Sequence, residues 1–211
     1  MPEIVTSPVI LFITAVLGYL LGSISFGVVM ARLFGLGDLT KIGSGNIGAT
    51  NVLRTGNKTA AALTLLLDAA KGGVAVIIAG RVTGGQDAAQ LAGFAAFLGH
   101  LYPVWLGFKG GKGVSTFLGT LLVLQWPLGL TACALWLIAA LLTRMSSAGS
   151  LTAAITAPIA AWLMGYSNTI VLTLALAVIV IWRHRANIAR IAQGTESKIG
   201  QSKQAGPQPG A

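Results

Sequence analysis

Long apolar segments constrain this chain more than any other feature. They cover about residues 8–31, 59–79, 88–106, 115–143, 150–164 and 169–182. Only 9% of the residues are charged, whereas a soluble chain carries about 25%, so most of the sequence is unsuited to water. We therefore predict an all-α integral membrane protein. Residues 1–200 are expected to form a single transmembrane domain, and 201–211, which end in GPQPGA, a disordered tail.

The number of crossings depends on the run 115–143, which Gln125-Trp126-Pro127 interrupts. If this run crosses twice, there are seven transmembrane helices, and Lys and Arg fall almost entirely on one side. That side then holds Arg32, Lys41, Arg54, Lys58, Lys109, Lys112, Arg144, Arg183, Arg185, Arg190, Lys198 and Lys203. Arg81 lies outside and Lys71 within the membrane. The positive-inside rule thus predicts seven helices, the N-terminus outside, the C-terminus cytoplasmic, and one short helix near 115–125.

Charge and composition exclude several classes of function. The net charge of +9 does not indicate nucleic acid, because the basic residues separate apolar segments and do not cluster on a polar face. A single cysteine, Cys133, excludes a disulfide framework and a cysteine-based metal site. With two histidines and five acidic residues, a metal cluster is not expected either.

The first polar stretch on the predicted cytoplasmic side is GSGNIGATNVLR, residues 43–54. Its Gly43-x-Gly45-x-x-Gly48 pattern matches the dinucleotide fingerprint only weakly, because a membrane helix and not a strand is predicted before it. Its neutral hydrogen-bonding side chains are Ser44, Asn46, Thr50 and Asn51. Arg54 adds a planar fork suited to phosphate. A binding loop is favoured over a plain turn-rich connection.

The second stretch is GHLYPVWLGFKGGKGVST, residues 99–116. Lys109 and Lys112 lie among glycines, and bare N–H groups in such turns, with a lysine, favour phosphate. It is not a Walker A loop, because Gly113 follows Lys112. The simpler interpretation is a cytoplasmic loop whose lysines only fix topology. His100 is interpreted as an interfacial or packing residue.

The third stretch is RHRANIARIAQGTESK, residues 183–198. The spacing of His184 and Asn187 places them on one face of a helix that is expected to continue from the last span. Three arginines, Arg183, Arg185 and Arg190, are suited to substrate or lipid headgroups. A stop signal followed by an amphipathic interfacial helix would explain the same pattern.

Two smaller groups have both structural and functional interpretations. Asp68 and Lys71 lie three apart on one helical face and can pair, and intramembrane charges are functional candidates by default. A buried structural ion pair is at least as consistent with the spacing. Ser146, Ser147 and Ser150 follow Arg144 at a helix start, where capping is the simpler interpretation.

Taken in order, these motifs and the run LDAAKGG resemble the bacterial membrane acyl-phosphate:glycerol-3-phosphate acyltransferase family over all but the two tails. The resemblance implies transfer of an acyl group from fatty acyl phosphate to the 1-hydroxyl of glycerol 3-phosphate, giving lysophosphatidic acid and phosphate. It also implies seven helices in the bacterial inner membrane and an active site facing the cytoplasm. The partners implied are both substrates, membrane lipid and the enzyme that makes acyl phosphate, without nucleic acid.

The resemblance also assigns the site. Catalytic roles fall to Ser44, Lys112, His184 and Asn187, and substrate binding to Asn46, Thr50, Arg54, Gly110, Gly111 and Ser150. Among these, Thr50, Gly110, Gly111, Lys112 and Ser150 are expected to hold the acyl phosphate. Ser44, His184 and Asn187 are expected to bind or orient glycerol 3-phosphate, with Arg54 near its phosphate. Either His184 or a substrate phosphate oxygen takes the hydroxyl proton, the latter being slightly favoured. No metal or nucleotide cofactor is expected.

Two alternatives differ in the reaction or in its donor. A transporter or channel for an organic phosphate would suit glycine-broken helices with the intramembrane Asp68 and Lys71, although no internal repeat is visible. Acyl-CoA or acyl carrier protein as donor is disfavoured, because neither His100 nor His184 begins the His-x₄-Asp pair that soluble-type glycerolipid acyltransferases use.

Overall fold

The structure, a computed structural model, describes residues 1–200. Ten α-helices and three 3₁₀ turns make up this part of the chain, and it contains no β-strand. The helices are α1 Pro8–Gly22, α2 Phe26–Leu33, α3 Ala49–Leu53, α4 Lys58–Thr83, α5 Gln86–Leu101, α6 Val114–Leu124, α7 Trp126–Thr143, α8 Ser146–Leu163, α9 Ile170–Arg183 and α10 Arg185–Ala192. The predicted all-α fold is confirmed for these residues. The predicted disordered tail, 201–211, lies outside them.

Three helical segments of the described chain are long and apolar enough to cross a membrane. They are Pro8–Leu33, which joins α1 and α2, then α4, and then α7. A fourth qualifies if α9 and α10, separated by a bend of 60°, count as one span. Large apolar side chains such as Leu142, 81% exposed, cover the outside of the bundle. Such an apolar surface suits lipid and not water. The seven crossings remain a prediction.

The apolar run at 115–143 consists of two helices, α6 and α7, which fold back on each other at Gln125. Pro127, two residues further on, lacks the N–H needed to continue α6. The helices pack closely, because a β-carbon at Gly129 would lie 2.4 Å from the Cα of Leu122. With 11 residues, α6 is only about 16 Å long. The predicted short helix near 115–125 is therefore confirmed.

Close backbone contacts at glycine hold the bundle together. A β-carbon at Gly22 of α1 would lie 2.0 Å from the carbonyl oxygen of Ala96 in α5, and one at Gly119 of α6 equally close to that of Ala69 in α4. Helices in membranes associate through small residues of this kind, because apolar side chains gain little from leaving lipid. As a result α4 and α5 lie at the centre, in contact with α1 and α6.

Polar groups concentrate at the two ends of the bundle. At one end the loops before α4 and α6 and the chain after α10 meet, and the N–H of Ile199 donates to the carbonyl of Arg144 at 2.6 Å. At the other end the N–H and hydroxyl of Thr6 donate to Asp87, and Gln90 donates to the carbonyl of Asn168. The first end carries the cavity described next.

Candidate active site

A cavity of about 390 Å³ opens where the polar loops meet. Its volume is within the range of sites that hold small organic ligands. Eight of the ten side chains predicted to form the site line it: Ser44, Asn46, Thr50, Arg54, Lys112, Ser150, His184 and Asn187. They come from the loop before α4, the loop before α6, the start of α8 and the junction of α9 with α10. Folding thus assembles one site from the three sequence motifs and the serine group at the start of α8.

The first motif is organised by Asn51, to which the sequence assigned no role in the site. This side chain is 1% exposed. Its Oδ1 accepts the N–H of Ser44 at 3.0 Å and the Ser44 hydroxyl at 3.3 Å, and its Nδ2 donates to the carbonyl of Leu39 at 2.9 Å. A helix and a 3₁₀ turn precede the glycines of this motif, so the dinucleotide fingerprint has no structural basis here. Asn51 instead fixes Ser44 at the cavity.

Arg54 supplies a half-buried cation beside Ser44. Its Nη2 donates to the hydroxyl of Ser197 at 2.6 Å, and Ser197 also lines the cavity. The contact with Ser197 shows that the segment after α10 closes one side of the site. Since a guanidinium presents several donors in one plane, the remaining N–H groups of Arg54 suit a phosphate.

Lys112 reaches into the cavity from the loop that precedes α6. Its Nζ donates to Oδ1 of Asn187, which joins the second motif to the third. Burial lowers the pKa of Lys112 to about 8, against the attraction of Glu196, and the neighbouring arginines add to the lowering. At pH 7 the amine is thus mainly protonated, but burial destabilises the ammonium form. The negative charge of a bound phosphate would stabilise it.

The first turns of α6 and α8 both line the cavity, through Val114 and Ser115 of α6 and Ser146 and Ser147 of α8. Neither helix has a side chain that caps its N-terminus. Free N–H groups at a helix start carry partial positive charge and attract anions. The site therefore combines two helix N-termini with the cations Arg54 and Lys112.

His184 lies at a bend and not within a continuous helix. The predicted extension of the last span is wrong in this respect, because α9 ends at Arg183 and α10 leaves it at 60°. His184 Nδ1 lies 2.8 Å from the carbonyl of Val180, so Nδ1 carries the proton and Nε2 is the free acceptor. Burial, and then the charge of Lys112, lower the pKa of His184 to about 4. Both His184 and Asn187 are nevertheless buried and line the cavity.

Glu196 connects the third motif to α8 and was not singled out from the sequence. Its Oε1 accepts from the Ser147 hydroxyl at 2.7 Å and from Asn187 Nδ2 at 2.6 Å, and its Oε2 accepts from Arg190 Nε at 2.7 Å. Burial opposes ionisation, but these hydrogen bonds keep the pKa of Glu196 below its usual value. One signal was available: Glu196 is the only acidic residue after Asp87, and it lies in a basic segment.

Gly110 and Gly111 do not line the cavity, although they were predicted to hold the acyl phosphate. The N–H of Gly110 donates to the carbonyl of Leu101, and that of Gly111 to the carbonyl of His100. Arg183, which the sequence suggested could bind substrate or lipid headgroups, donates to the carbonyls of both glycines, at 3.1 Å for Gly110 and 2.8 Å for Gly111. Because these amides are already paired, neither glycine offers a free N–H to the cavity, and Lys112 is the first residue after them that lines it.

The remaining groups divide between the cavity and its surroundings. Ser150 donates to the carbonyl of Ser146 at 2.8 Å and accepts from Trp136 Nε1 at 3.2 Å, so its hydroxyl is held at the cavity wall. Lys109 is exposed and does not line the cavity. Apolar side chains, among them Leu65 and Leu118, form another part of the wall. Within residues 1–200, no group of three or more His, Cys, Asp or Glu residues could hold a metal.

Fold and site together define a class: a helical membrane protein whose cavity has an apolar wall and polar groups equipped to bind anions. Comparison with known proteins identifies the family. The family model described as glycerol-3-phosphate acyltransferase matches residues 12–194, and the chain belongs to this family. It is therefore an acyltransferase and a multi-pass integral membrane protein, and the transporter alternative is wrong.

Several relatives are similar over nearly their whole length. The glycerol-3-phosphate acyltransferase of Jannaschia sp. (strain CCS1) is 63% identical over 201 residues, which cover 95% of this chain and 98% of that protein. That of Cereibacter sphaeroides (strain ATCC 17025 / ATH 2.4.3) is 59% identical, covering 95% of each.

Two solved structures share the fold. One is PlsY, an integral membrane glycerol 3-phosphate acyltransferase, in its glycerol 3-phosphate form, with a TM-score of 0.85, 40% identity, and coverage of 90% of this chain and 96% of that one. The other is the lysophosphatidic acid form of PlsY, with a TM-score of 0.81, 37% identity, and coverage of 89% and 94%.

Proposed function

We propose that this chain transfers the acyl group of a fatty acyl phosphate to the 1-hydroxyl of glycerol 3-phosphate, giving lysophosphatidic acid and inorganic phosphate. The observation that carries the proposal is the cavity in which Lys112 and Arg54 converge beside an apolar wall. Both substrates are phosphates, and one has an acyl chain that belongs in lipid. The glycerol 3-phosphate and lysophosphatidic acid forms of PlsY support the acceptor and the product.

The acceptor is assigned to the part of the cavity formed by the first and third motifs. Arg54 binds the phosphate of glycerol 3-phosphate, while Ser44, His184 and Asn187 orient its glycerol, with Asn46 beside them. Asn51 and Glu196 support this arrangement, because they hold Ser44 and Asn187 through buried or partly buried hydrogen bonds. Positioning of this kind lowers the barrier by removing the entropy cost of bringing the reactants together.

The donor is assigned to the part between the first turns of α6 and α8. Thr50, Lys112 and Ser150 hold its phosphate, and Leu65 and Leu118 lie along its acyl chain. The glycerol oxygen attacks the carbonyl carbon, a tetrahedral oxyanion forms and collapses, and the carbon–oxygen bond to phosphate breaks. Lys112 and the helix N-termini stabilise the negative charge that moves onto the leaving phosphate.

The proton of the attacking hydroxyl goes to a phosphate oxygen of a substrate. His184 is the alternative acceptor, since its Nε2 is free. However, burial and Lys112 lower the pKa of His184 to about 4, which makes it a weak base for an alcohol. A phosphate, with a second pKa of about 6, is the stronger acceptor and is already bound at the site.

Orientation in the membrane is part of the proposal. The chain crosses the bacterial inner membrane seven times, with its N-terminus outside and the cavity open to the cytoplasm, where glycerol 3-phosphate and the enzyme that makes acyl phosphate are expected. The grouping of Arg54, Lys112 and Arg190 around one cavity supports this arrangement, since the positive-inside rule places such residues on the cytoplasmic side.

The proposal is tested with the purified protein, acyl phosphate and glycerol 3-phosphate, by following lysophosphatidic acid and released phosphate. Equal amounts of the two products are expected. Acyl-CoA and acylated carrier protein are offered separately and in competition, and neither should replace acyl phosphate. Absence of lysophosphatidic acid with acyl phosphate, together with its formation from either thioester, would overturn the donor assignment.

A further inference from the structure

Three buried side chains at the cavity, two of them in its wall, have no part in the mechanism above. They are Asp68 and Lys71 of α4 and His100 of α5, and none is more than 5% exposed. Asp68 Oδ1 lies 2.8 Å from Lys71 Nζ, an ion pair, and 3.5 Å from His100 Nδ1, a polar contact that is not aligned as a hydrogen bond. Such groups are costly inside a membrane protein, which makes a role connected with the site the first hypothesis. We refer to them as the buried triad.

One end of the buried triad is anchored to the backbone. Lys71 Nζ donates to the carbonyl of Ile24 at 2.7 Å, and Ile24 lies in the break between α1 and α2. The ammonium also lies 6.0 Å from the centre of the Phe26 ring. A carbonyl at a helix break lacks a partner within its own helix, so this contact satisfies both groups. Lys71 and its partner Asp68 are therefore fixed in place.

The other end of the buried triad supports the loop that carries Lys112. A β-carbon at Gly111 would lie 2.2 Å from His100 Nε2, so the glycine rests directly on the imidazole ring. The N–H of Gly111 donates to the carbonyl of His100 at 3.1 Å, and Arg183 holds the carbonyl of Gly111 from the other side. Gly111 immediately precedes Lys112. The imidazole thus lies directly against the residue that precedes Lys112.

We propose that Lys71, Asp68 and His100 are positioning residues for Lys112. Lys71 fixes Asp68, and the Asp68 carboxylate fixes the imidazole of His100. The imidazole in turn fixes the position of Gly111, so that the ammonium of Lys112 reaches Asn187 at the cavity. The proposal rests on the role of Lys112 proposed above. Displacement of a catalytic group by about 1 Å costs about 10²-fold in rate, so such support has a measurable effect.

A different role for His100 has to be separated from this one. Its Nδ1 faces a carboxylate, as in the Asp–His pairs of hydrolases, and Asp68 and His100 both line the cavity. If His100 acted directly as a base, its loss would reduce the rate whether or not Lys112 is present. If His100 acts through Lys112, its loss has no further effect once Lys112 is gone.

The first test follows the reactivity of Lys112 itself. The folded protein in detergent is treated with an acetylating reagent across a range of pH, and modification of Lys112 is quantified by mass spectrometry, with the exposed Lys109 as internal reference. A plot of Lys112 modification against pH gives the Lys112 curve. In His100→Gln and Asp68→Asn the midpoint of this curve should move by at least about one pH unit towards that of a solvated lysine. The titratable groups that face Lys112 remain in both variants: Arg54, Arg183, His184, Arg190 and Glu196.

The matched control is Gln90→Leu. Gln90 is also a buried polar residue of α5, 6% exposed, but it contacts Asn168 at the opposite end of the bundle. Its replacement should leave the Lys112 curve unchanged even if it lowers stability. An unchanged curve in both His100→Gln and Asp68→Asn overturns the proposal, and this readout does not depend on the acyl donor.

The second test is a double-mutant cycle in turnover. His100→Gln should lower kcat by at least about tenfold, with KM for glycerol 3-phosphate within about threefold, because the support acts on a group used in the transition state. In a Lys112→Ala background the same substitution should lower the residual rate by less than about twofold. Multiplied effects would overturn the proposal in favour of a direct role. Full activity of Lys112→Ala would instead refute the proposed role of Lys112, and a wild-type protein that forms no lysophosphatidic acid would refute the proposed function. Neither outcome would change the labelling result.

Discussion

At the scale of single residues, Lys112 is the side chain on which the proposed chemistry depends most. We expect Lys112→Ala to lower kcat by about 10²–10³-fold, as does loss of a group that stabilises negative charge in a transition state. Lys109→Ala is the matched control, because Lys109 lies in the same loop but is exposed and outside the cavity. Its activity should remain within about twofold of wild type. Phosphate release by both folded variants is measured in detergent, and equal activities would remove Lys112 from the mechanism.

The titration of Lys112 predicts how activity depends on pH. Burial lowers its pKa to about 8, so the free enzyme holds the ammonium at neutral pH and loses it as pH rises through about 8. Because kcat/KM reports groups of the free enzyme, it should fall about tenfold per pH unit above this value. His184, with a pKa of about 4, should add no fall between about pH 5 and 7. Lys112→Arg keeps its charge at alkaline pH and should abolish this fall in kcat/KM. A wild-type profile that stays flat to about pH 10 would contradict the assignment of the fall to Lys112.

Glu196 provides a residue-scale prediction about stability. Glu196→Gln should lower the free energy of unfolding by about 1–3 kcal/mol, because it weakens charge-assisted hydrogen bonds to Ser147, Asn187 and Arg190. Since the pKa of Glu196 is lowered, this contribution is present at neutral pH and is lost as pH falls through the lowered value. Thermal unfolding in detergent measures it. The exposed Glu3→Gln serves as control, and equal shifts in the two variants would deny Glu196 this role.

At the scale of elements, the start of α6 requires glycine for two reasons. Gly113 has φ of 82°, and a β-carbon there would lie 2.3 Å from the ring of Phe97. Gly107, in the same loop, has φ of 57° but no atom within 4 Å of such a β-carbon. Gly107→Ala should therefore cost only the backbone strain, about 1–2 kcal/mol, and leave kcat within about twofold.

Gly113→Ala adds a clash with a fully buried ring to the same strain. We expect it to lower the free energy of unfolding by at least about 1 kcal/mol more than Gly107→Ala does, and kcat by at least about tenfold, because α6 and Lys112 are displaced together. Thermal unfolding and turnover of the two variants are compared in one detergent. Equal effects in both quantities would show that the contact with Phe97 does not fix the start of α6.

At the scale of the whole molecule, local sequence signals predict most of the fold and part of the site. Hydrophobic runs, which depend on neighbours along the chain, predict most of the helices. Pro127 alone allowed either one long helix or two at 115–143, and the distribution of Lys and Arg over all the loops favoured two. The contacts of Glu196 with Ser147 and of Arg54 with Ser197 join residues 49 and 143 positions apart, and no local pattern encodes them. The bend at His184 was missed for the same reason: the helical spacing of His184 and Asn187 suits both a straight and a bent helix.

Orientation in the membrane is the property on which the cellular role of the whole molecule depends. Arg81 lies near the end of α4 and Lys109 in the loop before α6, both exposed and, by the charge pattern, on opposite sides. In a Cys133→Ala background, we expect Arg81→Cys to react with a membrane-impermeant thiol reagent in intact cells. Lys109→Cys should react only after the inner membrane is permeabilised. The reverse pattern would place the cavity outside, away from cytoplasmic substrates, and would contradict the proposed topology together with the route by which glycerol 3-phosphate reaches Arg54.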